Sequence, residues 1–141
     1  MELAMSKDDL GRFLQTEFPQ VAQEMVVDEV SAQGLVLRLR VSAAHLRPGG
    51  TVSGPAMFGL ADVALYLCLL SRIGPQALAV TTNASIDFLR KPAQDRDVIA
   101  SARLLKLGRV LAVGDALIYS QGLPDPVARA NMTYSIPPAP R

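Results

Sequence analysis

Between Gly54 and Leu70 the chain runs almost without a polar side chain, and that stretch limits what the remaining residues can build. Met57, Leu60, Ala61, Ala64, Leu65 and Leu69, with Phe58 and Tyr66, cover every side of a helix, and a helix that is apolar all round is normally buried. The stretch is short for a membrane span. It also carries Asp62 near its middle, where insertion into hydrocarbon costs about 2.5–3.5 kcal/mol. A core helix is therefore expected, with no membrane partner. Gly54-Pro55 suits its entry, because proline at a first helical position lacks only a hydrogen that has no intrahelical acceptor. Gly74-Pro75 closes it.

Something must wrap this helix, and the flanking segments read as strands. The 141 residues make one domain rather than two. Ser6-Lys7-Asp8-Asp9 fits a capping box, and Leu10, Phe13, Leu14 and Phe18 follow at helical spacing, so the chain opens with a short helix within residues 1–19 that Pro19 ends. Residues from about 20 to 30 suit a strand. After the turn-like Ala32-Gln33-Gly34, the row Leu35, Leu37, Leu39, Val41 alternates with Val36, Arg38 and Arg40, which completes a hairpin. A loop from His45 to Ser53, containing Arg47-Pro48-Gly49-Gly50, leads into the core helix. From Gln76 to Leu89 alternation returns, with Leu78, Val80, Thr82, Ala84, Ile86 and Phe88 on one side and Thr81, Asn83, Ser85 and Asp87 on the other. Runs at about 97–106 and 110–120 flank Leu107-Gly108-Arg109, and a last strand passes through Ala130, Met132 and Tyr134. Residues 137–141 form an irregular tail. The expectation is a single α+β domain over 1–141, an antiparallel sheet of about five to six strands around one long helix.

Asp62 is the residue most in need of explanation. An ionised carboxylate is costly to bury without partners, and its neighbours one turn away, Phe58, Leu65, Tyr66 and Leu69, supply no polar stripe to water. Such a group is a candidate base or nucleophile; the plainer alternative is a wet edge or a buried donor. Gly54 lies eight residues earlier, at the helix start, where free N–H groups and the positive end of the dipole favour a developing oxyanion. Eight residues span roughly 12 Å of axis, so the two meet only if Asp62 reaches back or a second subunit completes the site.

Other classes are disfavoured. A net charge of +1 with 19% charged residues gives no basic field for nucleic acid. One cysteine, Cys68, cannot form an internal disulfide, and the opening MELAMSKDDL lacks the layout of a signal peptide, so a cytoplasmic protein is expected. Neither a metal nor a resident cofactor is expected.

The stretch from His45 through Ser53-Gly54-Pro55 to Leu60-Ala61-Asp62, followed by Ser85-Ile86-Asp87-Phe88-Leu89-Arg90-Lys91-Pro92, resembles the phenylacetate-pathway (PaaI-type) hotdog-fold acyl-CoA thioesterases. The family's helix begins with His-Gly-Gly and continues to Leu-Ala-Asp, and its next strand ends in Asp-Phe-Leu-Arg-Pro. The likeness covers roughly residues 35 to 136. It implies a hotdog fold, hydrolysis of a small or medium acyl-CoA, aromatic ones included, Asp62 as base or nucleophile and the Gly54 N–H polarising the carbonyl. It also implies a homodimer, commonly doubled to a tetramer, with sites at the subunit boundary. Coenzyme A then belongs to the substrate. Candidate substrate contacts are Arg47, Ser53, Phe58, Tyr66, Thr82 and Asn83; candidate phosphate contacts are Arg90, Lys91 and Arg109.

This chain departs from the family twice. Pro55 stands where the motif has its second glycine and cannot donate a hydrogen bond, leaving Gly54 or Ala56. Arg47 occupies the position of a frequent Asn or Gln, where it could bind substrate or pair with Asp62 and quench it. Two other functions stay open: a non-catalytic acyl-CoA-binding hotdog protein, and a hydratase or dehydratase using His45 with the helical acid.

Overall fold

The computed structural model describes residues 3–138. Helix α1 (Lys7–Glu17) opens on the expected capping box: the Asp9 N–H donates to Ser6 Oγ at 3.1 Å, and the Ser6 N–H donates to Asp9 Oδ2 at 2.9 Å. Its stripe of Leu10, Phe13 and Leu14 is buried. Pro19 does more than end this helix, because it is the first residue of a second short one, α2 (Pro19–Ala22). Its fixed φ and missing N–H suit that position, and the strand expected from about residue 20 begins only at Met25.

The strands are β1 (Met25–Ser31), β2 (Gly34–Leu39), β3 (Val80–Phe88), β4 (Val98–Leu107), β5 (Leu111–Ser120) and β6 (Pro126–Ser135). They form one antiparallel sheet in the order β1-β2-β4-β5-β6-β3. The long helix α3 (Gly54–Ile73) lies against the inner face of this sheet. Leu60, Leu65, Leu67 and Leu70 are fully buried, as are Leu37, Ala100 and Ile118 on the strands. Each leucine contributes about 1.5–3 kcal/mol on removal from water. Although α3 has the length and hydropathy of a membrane span, most of it is enclosed by the protein. The expected α+β sheet around a buried helix is thus present, with six strands. Pro137 and Pro138 lie outside any strand, while the rest of the expected tail, 139–141, falls outside the described residues.

In β3 the expected alternation holds for only part of the strand. Thr81 pairs with Tyr134 and Asn83 with Thr133, so Thr82 is an extra residue, a β-bulge. A bulge reverses the facing of everything beyond it. Ala84, Ile86 and Phe88 share the inner face with Met132, Ala130 and Ala128 as expected, but before the bulge it is Thr81 that faces in. Leu78 and Val80, expected on the same side as Ala84, Ile86 and Phe88, are 79% and 56% exposed.

Cys68 is fully buried on α3, and burial pushes its thiol up to about 11. Little thiolate exists at pH 8, and none is accessible. The native protein is therefore expected to resist Ellman's reagent at pH 8 and to release one equivalent of chromophore only after denaturation; rapid labelling of the native chain would contradict this packing.

Candidate active site

The bulge at Thr82 sets up the surroundings of Asp62. Thr81 and Tyr134 are directly opposed across β3 and β6, so their side chains stand side by side on the inner face, beneath the middle of α3. The Thr81 hydroxyl donates to Asp62 Oδ1 at 2.6 Å. The Tyr134 phenol oxygen lies 2.6 Å from the same Oδ1 and 2.7 Å from the Asp62 carbonyl oxygen, so one proton is shared between them. Among the described residues nothing hydrogen-bonds Oδ2. Burial first, and the charge of Asp62 second, hold the Tyr134 phenol far above its ordinary value, so it stays a donor. The half-buried carboxylate is thus gripped by one oxygen and open at the other.

Asp62 borders a cleft of about 520 Å³, lined from α3 also by Val63 and Tyr66 and from the α1–α2 corner by Glu17, Phe18 and Gln20. Tyr66, an expected substrate contact, belongs here; its hydroxyl donates to the Ala77 carbonyl at 2.9 Å, and its ring packs 6.1 Å from that of Phe13. A larger trough of about 880 Å³ lies on the outer face of the sheet, walled by the pairs Arg103–Asp115 and Arg129–Asp87. Asp62 takes no part in it.

Gly54 sits at the entry of α3. Ser53 caps the helix, its hydroxyl accepting from the Ala56 N–H at 3.2 Å. Ala56, one of the two donors left by Pro55, is therefore already engaged, and the Gly54 N–H, which has no intrahelical acceptor, remains. A Cβ on Gly54 would come within 3.2 Å of the Phe88 ring, so the far end of β3 lies over the helix start. Within one chain Gly54 and Asp62 remain two turns apart on α3. Phe58, between them, is 37% exposed.

The other expected residues scatter. Arg47 opens a tight turn, its carbonyl accepting from the Gly50 N–H at 3.0 Å with Gly49 at φ +100°, as a type II turn requires. It is exposed and makes no ion pair with Asp62 among the described residues, so within one chain it does not pair with the carboxylate. Thr82 and Asn83 are exposed on β3, and it is Thr81 that reaches Asp62. Arg90 is held by the Pro126 carbonyl at 3.0 Å and by Asp125 at 3.5 Å, and Lys91 beside it is exposed. Arg109 lies in the β4–β5 turn at the opposite end of the sheet. His45 is buried away from the cleft, its Nδ1 accepting from the Ser42 N–H at 2.9 Å and its Nε2 facing Glu24 at 3.3 Å. No group of His, Cys, Asp and Glu among the described residues could hold a metal.

Sequence reasoning missed Thr81, Tyr134 and the α1–α2 corner. A tyrosine at an inward position of the last strand was a usable signal, because a buried phenol needs a partner. Replacing Tyr134 with phenylalanine removes a donor to a half-buried carboxylate and is expected to lower the unfolding free energy by about 1.5–3 kcal/mol. Urea denaturation measures it, and an unchanged midpoint would mean that the contact is absent in solution.

No curated protein sequence matches the chain. The model of the thioesterase superfamily matches residues 49–126, more than half of it. A crystal structure from Silicibacter sp. TM1040, whose protein carries a provisional thioesterase assignment, is 56% identical over 98% of this chain and 96% of its own, with a TM-score of 0.92. The phenylacetic acid degradation protein PaaI from Thermus thermophilus, solved as a mutant, is 25% identical over 89% of this chain and 99% of its own, at TM-score 0.70. Zebrafish thioesterase superfamily member 2, at 17% identity, 94% and 99% coverage and TM-score 0.83, shares the fold. With its six-stranded sheet around one helix and these likenesses along nearly its whole length, the chain belongs to the thioesterase superfamily as a PaaI-type hotdog protein.

Proposed function

We propose that the protein hydrolyses the thioester of a small or medium acyl-CoA, aromatic acyl groups included, with Asp62 as the reacting carboxylate and the Gly54 N–H as the oxyanion donor. The observation that carries this reading is the state of Asp62: Oδ1 pinned by Thr81 and Tyr134, Oδ2 without a hydrogen-bond partner among the described residues, and the residue at the border of a cleft. Either Oδ2 takes a proton from water as its oxygen attacks the thioester carbon, or Oδ2 attacks that carbon itself and water later cleaves the acyl–Asp62 anhydride. In both routes the carbonyl oxygen gains charge beside a helix N-terminus, and the C–S bond breaks to release coenzyme A thiolate, which takes up a proton. No resident cofactor enters these steps.

The site needs two chains. Thr81, at one end of β3, touches Asp62, while Phe88, at the other end, covers Gly54. β3 is a sheet edge, with Val80, Phe88 and Leu89 about half exposed, and bare apolar edges invite pairing. Antiparallel pairing of β3 with its copy, about a two-fold at Ser85 and with the extra residue Thr82 of each strand passed over, sets Thr81 opposite the partner's Phe88. Asp62 then faces the partner's Gly54. The same pairing carries the partner's Arg109 to the end of the joined sheet that holds Arg90 and Lys91, roughly 15 Å away at three strand spacings. That end suits the phosphates of coenzyme A. Doubling to a tetramer and a cytoplasmic location fit this reading without being required by it.

A dehydratase using His45 loses support, since His45 is turned to Glu24 outside the cleft. A purely binding role is separated from hydrolysis by a panel of straight-chain, branched and aromatic acyl-CoAs with free thiol as the readout. At least one is expected to turn over well above the buffer rate; binding without turnover across the panel would sink the enzymatic reading.

A further inference from the structure

We propose that Glu17, at the corner where α1 meets α2, is a specificity residue that turns the Asp62 cleft against acyl groups ending in a carboxylate and leaves it to uncharged acyl chains. This rests on the thioesterase reading above. Glu17 is the last residue of α1, where the negative end of the helix dipole disfavours an acid, and the last turn of α1 holds no basic residue. Among the described residues no ion pair or hydrogen bond engages its carboxylate. An acid left in a poor position without local compensation is the kind of broken rule expected at a functional position.

Its place in the fold is specific. Pro19 breaks the helix and starts α2, and the resulting corner brings Glu17, Phe18 and Gln20 into the lining of the cleft that Asp62 borders. The charge acts across that space: the Tyr66 phenol is raised above its ordinary value by burial first and by Glu17 second. Glu17 and Asp62 are the charged groups lining the cleft, and no Lys, Arg or His joins them. Tyr66 is no help to an anion, because its hydroxyl already donates to the Ala77 carbonyl. The rest of the lining sets apolar Phe18, Val63, Ala77, Ala79 and Val80 beside the uncharged polar groups of Gln20, Thr81 and Tyr134.

Tyr66 follows Asp62 by one helical turn, about 6 Å of rise, so an acyl chain of about four or five carbons running from a thioester at Asp62 brings its far end to this corner. A terminal carboxylate there gains no cation and meets a second negative charge, that of the exposed Glu17. A methyl or methylene end meets Phe18.

The test compares kcat/KM for butyryl- and pentanoyl-CoA with that for succinyl- and glutaryl-CoA, using the full-length protein, Glu17→Gln and Glu17→Lys. The wild type is expected to favour the uncharged member of each pair by about tenfold; Glu17→Gln should shrink that ratio about threefold and Glu17→Lys further, more so at low salt. The ratio is the readout, so a loss common to both substrates cancels. A ratio unmoved in both folded variants overturns the proposal and leaves the thioesterase standing. Failure of the wild type to hydrolyse any uncharged acyl-CoA overturns both.

Discussion

Asp62→Asn is expected to lower kcat for acyl-CoA hydrolysis by about 10³-fold or more while leaving the protein folded and its oligomeric state unchanged. The expectation follows from the division of labour between the two carboxylate oxygens. Oδ1 accepts from Thr81 at 2.6 Å and from Tyr134 at 2.6 Å, and the carbonyl oxygen of an asparagine amide can accept both bonds in the same place. The helix and the β3–β6 pair therefore keep their link, and no buried donor is stranded. The amide nitrogen replaces Oδ2, and an amide neither takes a proton from water at neutral pH nor attacks a thioester. The change thus separates chemistry from architecture. Steady-state rates together with thermal melting and sedimentation decide the matter: a folded variant that keeps more than a tenth of the wild-type kcat would show that the carboxylate is not the reacting group.

The layer arrangement was legible because its signals are local. Ser6 and Asp9 stand three residues apart and cap α1 by themselves, and the apolar residues from Met57 to Leu70 demand a cover whatever their neighbours are. Asp62 stood out for the same reason, since one turn of α3 on either side supplies it with no polar companion. What escaped depends on pairing between distant strands. The bulge at Thr82 is visible only in the register of β3 against β6. With it came the inward turn of Thr81, the exposure of Val80, and the meeting of Thr81 with Tyr134 on one carboxylate. In the sequence Arg109 groups with Arg90 and Lys91 as a phosphate contact, but strand order and register place their turns at opposite ends of the sheet within one chain. Pro19 read as a stop, and only the folded chain reveals the α2 corner that brings Glu17 and Phe18 to the cleft.

Mixing two inactive variants is expected to restore hydrolysis if the site is built from two chains. Gly54→Val should be inactive, because a β-branched side chain at the start of α3 occupies the space where the carbonyl oxygen approaches the N–H; even a Cβ there comes within 3.2 Å of the Phe88 ring. Asp62→Asn is inactive for a separate reason. In a mixed dimer, one boundary pairs the Asp62 of the Gly54→Val chain with the Gly54 of the Asp62→Asn chain, and so holds every native group. The other boundary holds both defects. Random exchange of equal amounts makes half of the dimers mixed, so activity should return to about a quarter of that of the same amount of wild type. The gain, from near zero, is large and has a definite ceiling. Were Asp62 and Gly54 to act within one chain, every site in the mixture would carry one defect, and no activity could return however long the subunits exchanged. A mixture that stays inactive after subunit exchange has been verified, by mass spectrometry of differently tagged chains, would therefore overturn the shared site, whereas the Asp62→Asn result alone would leave it undecided.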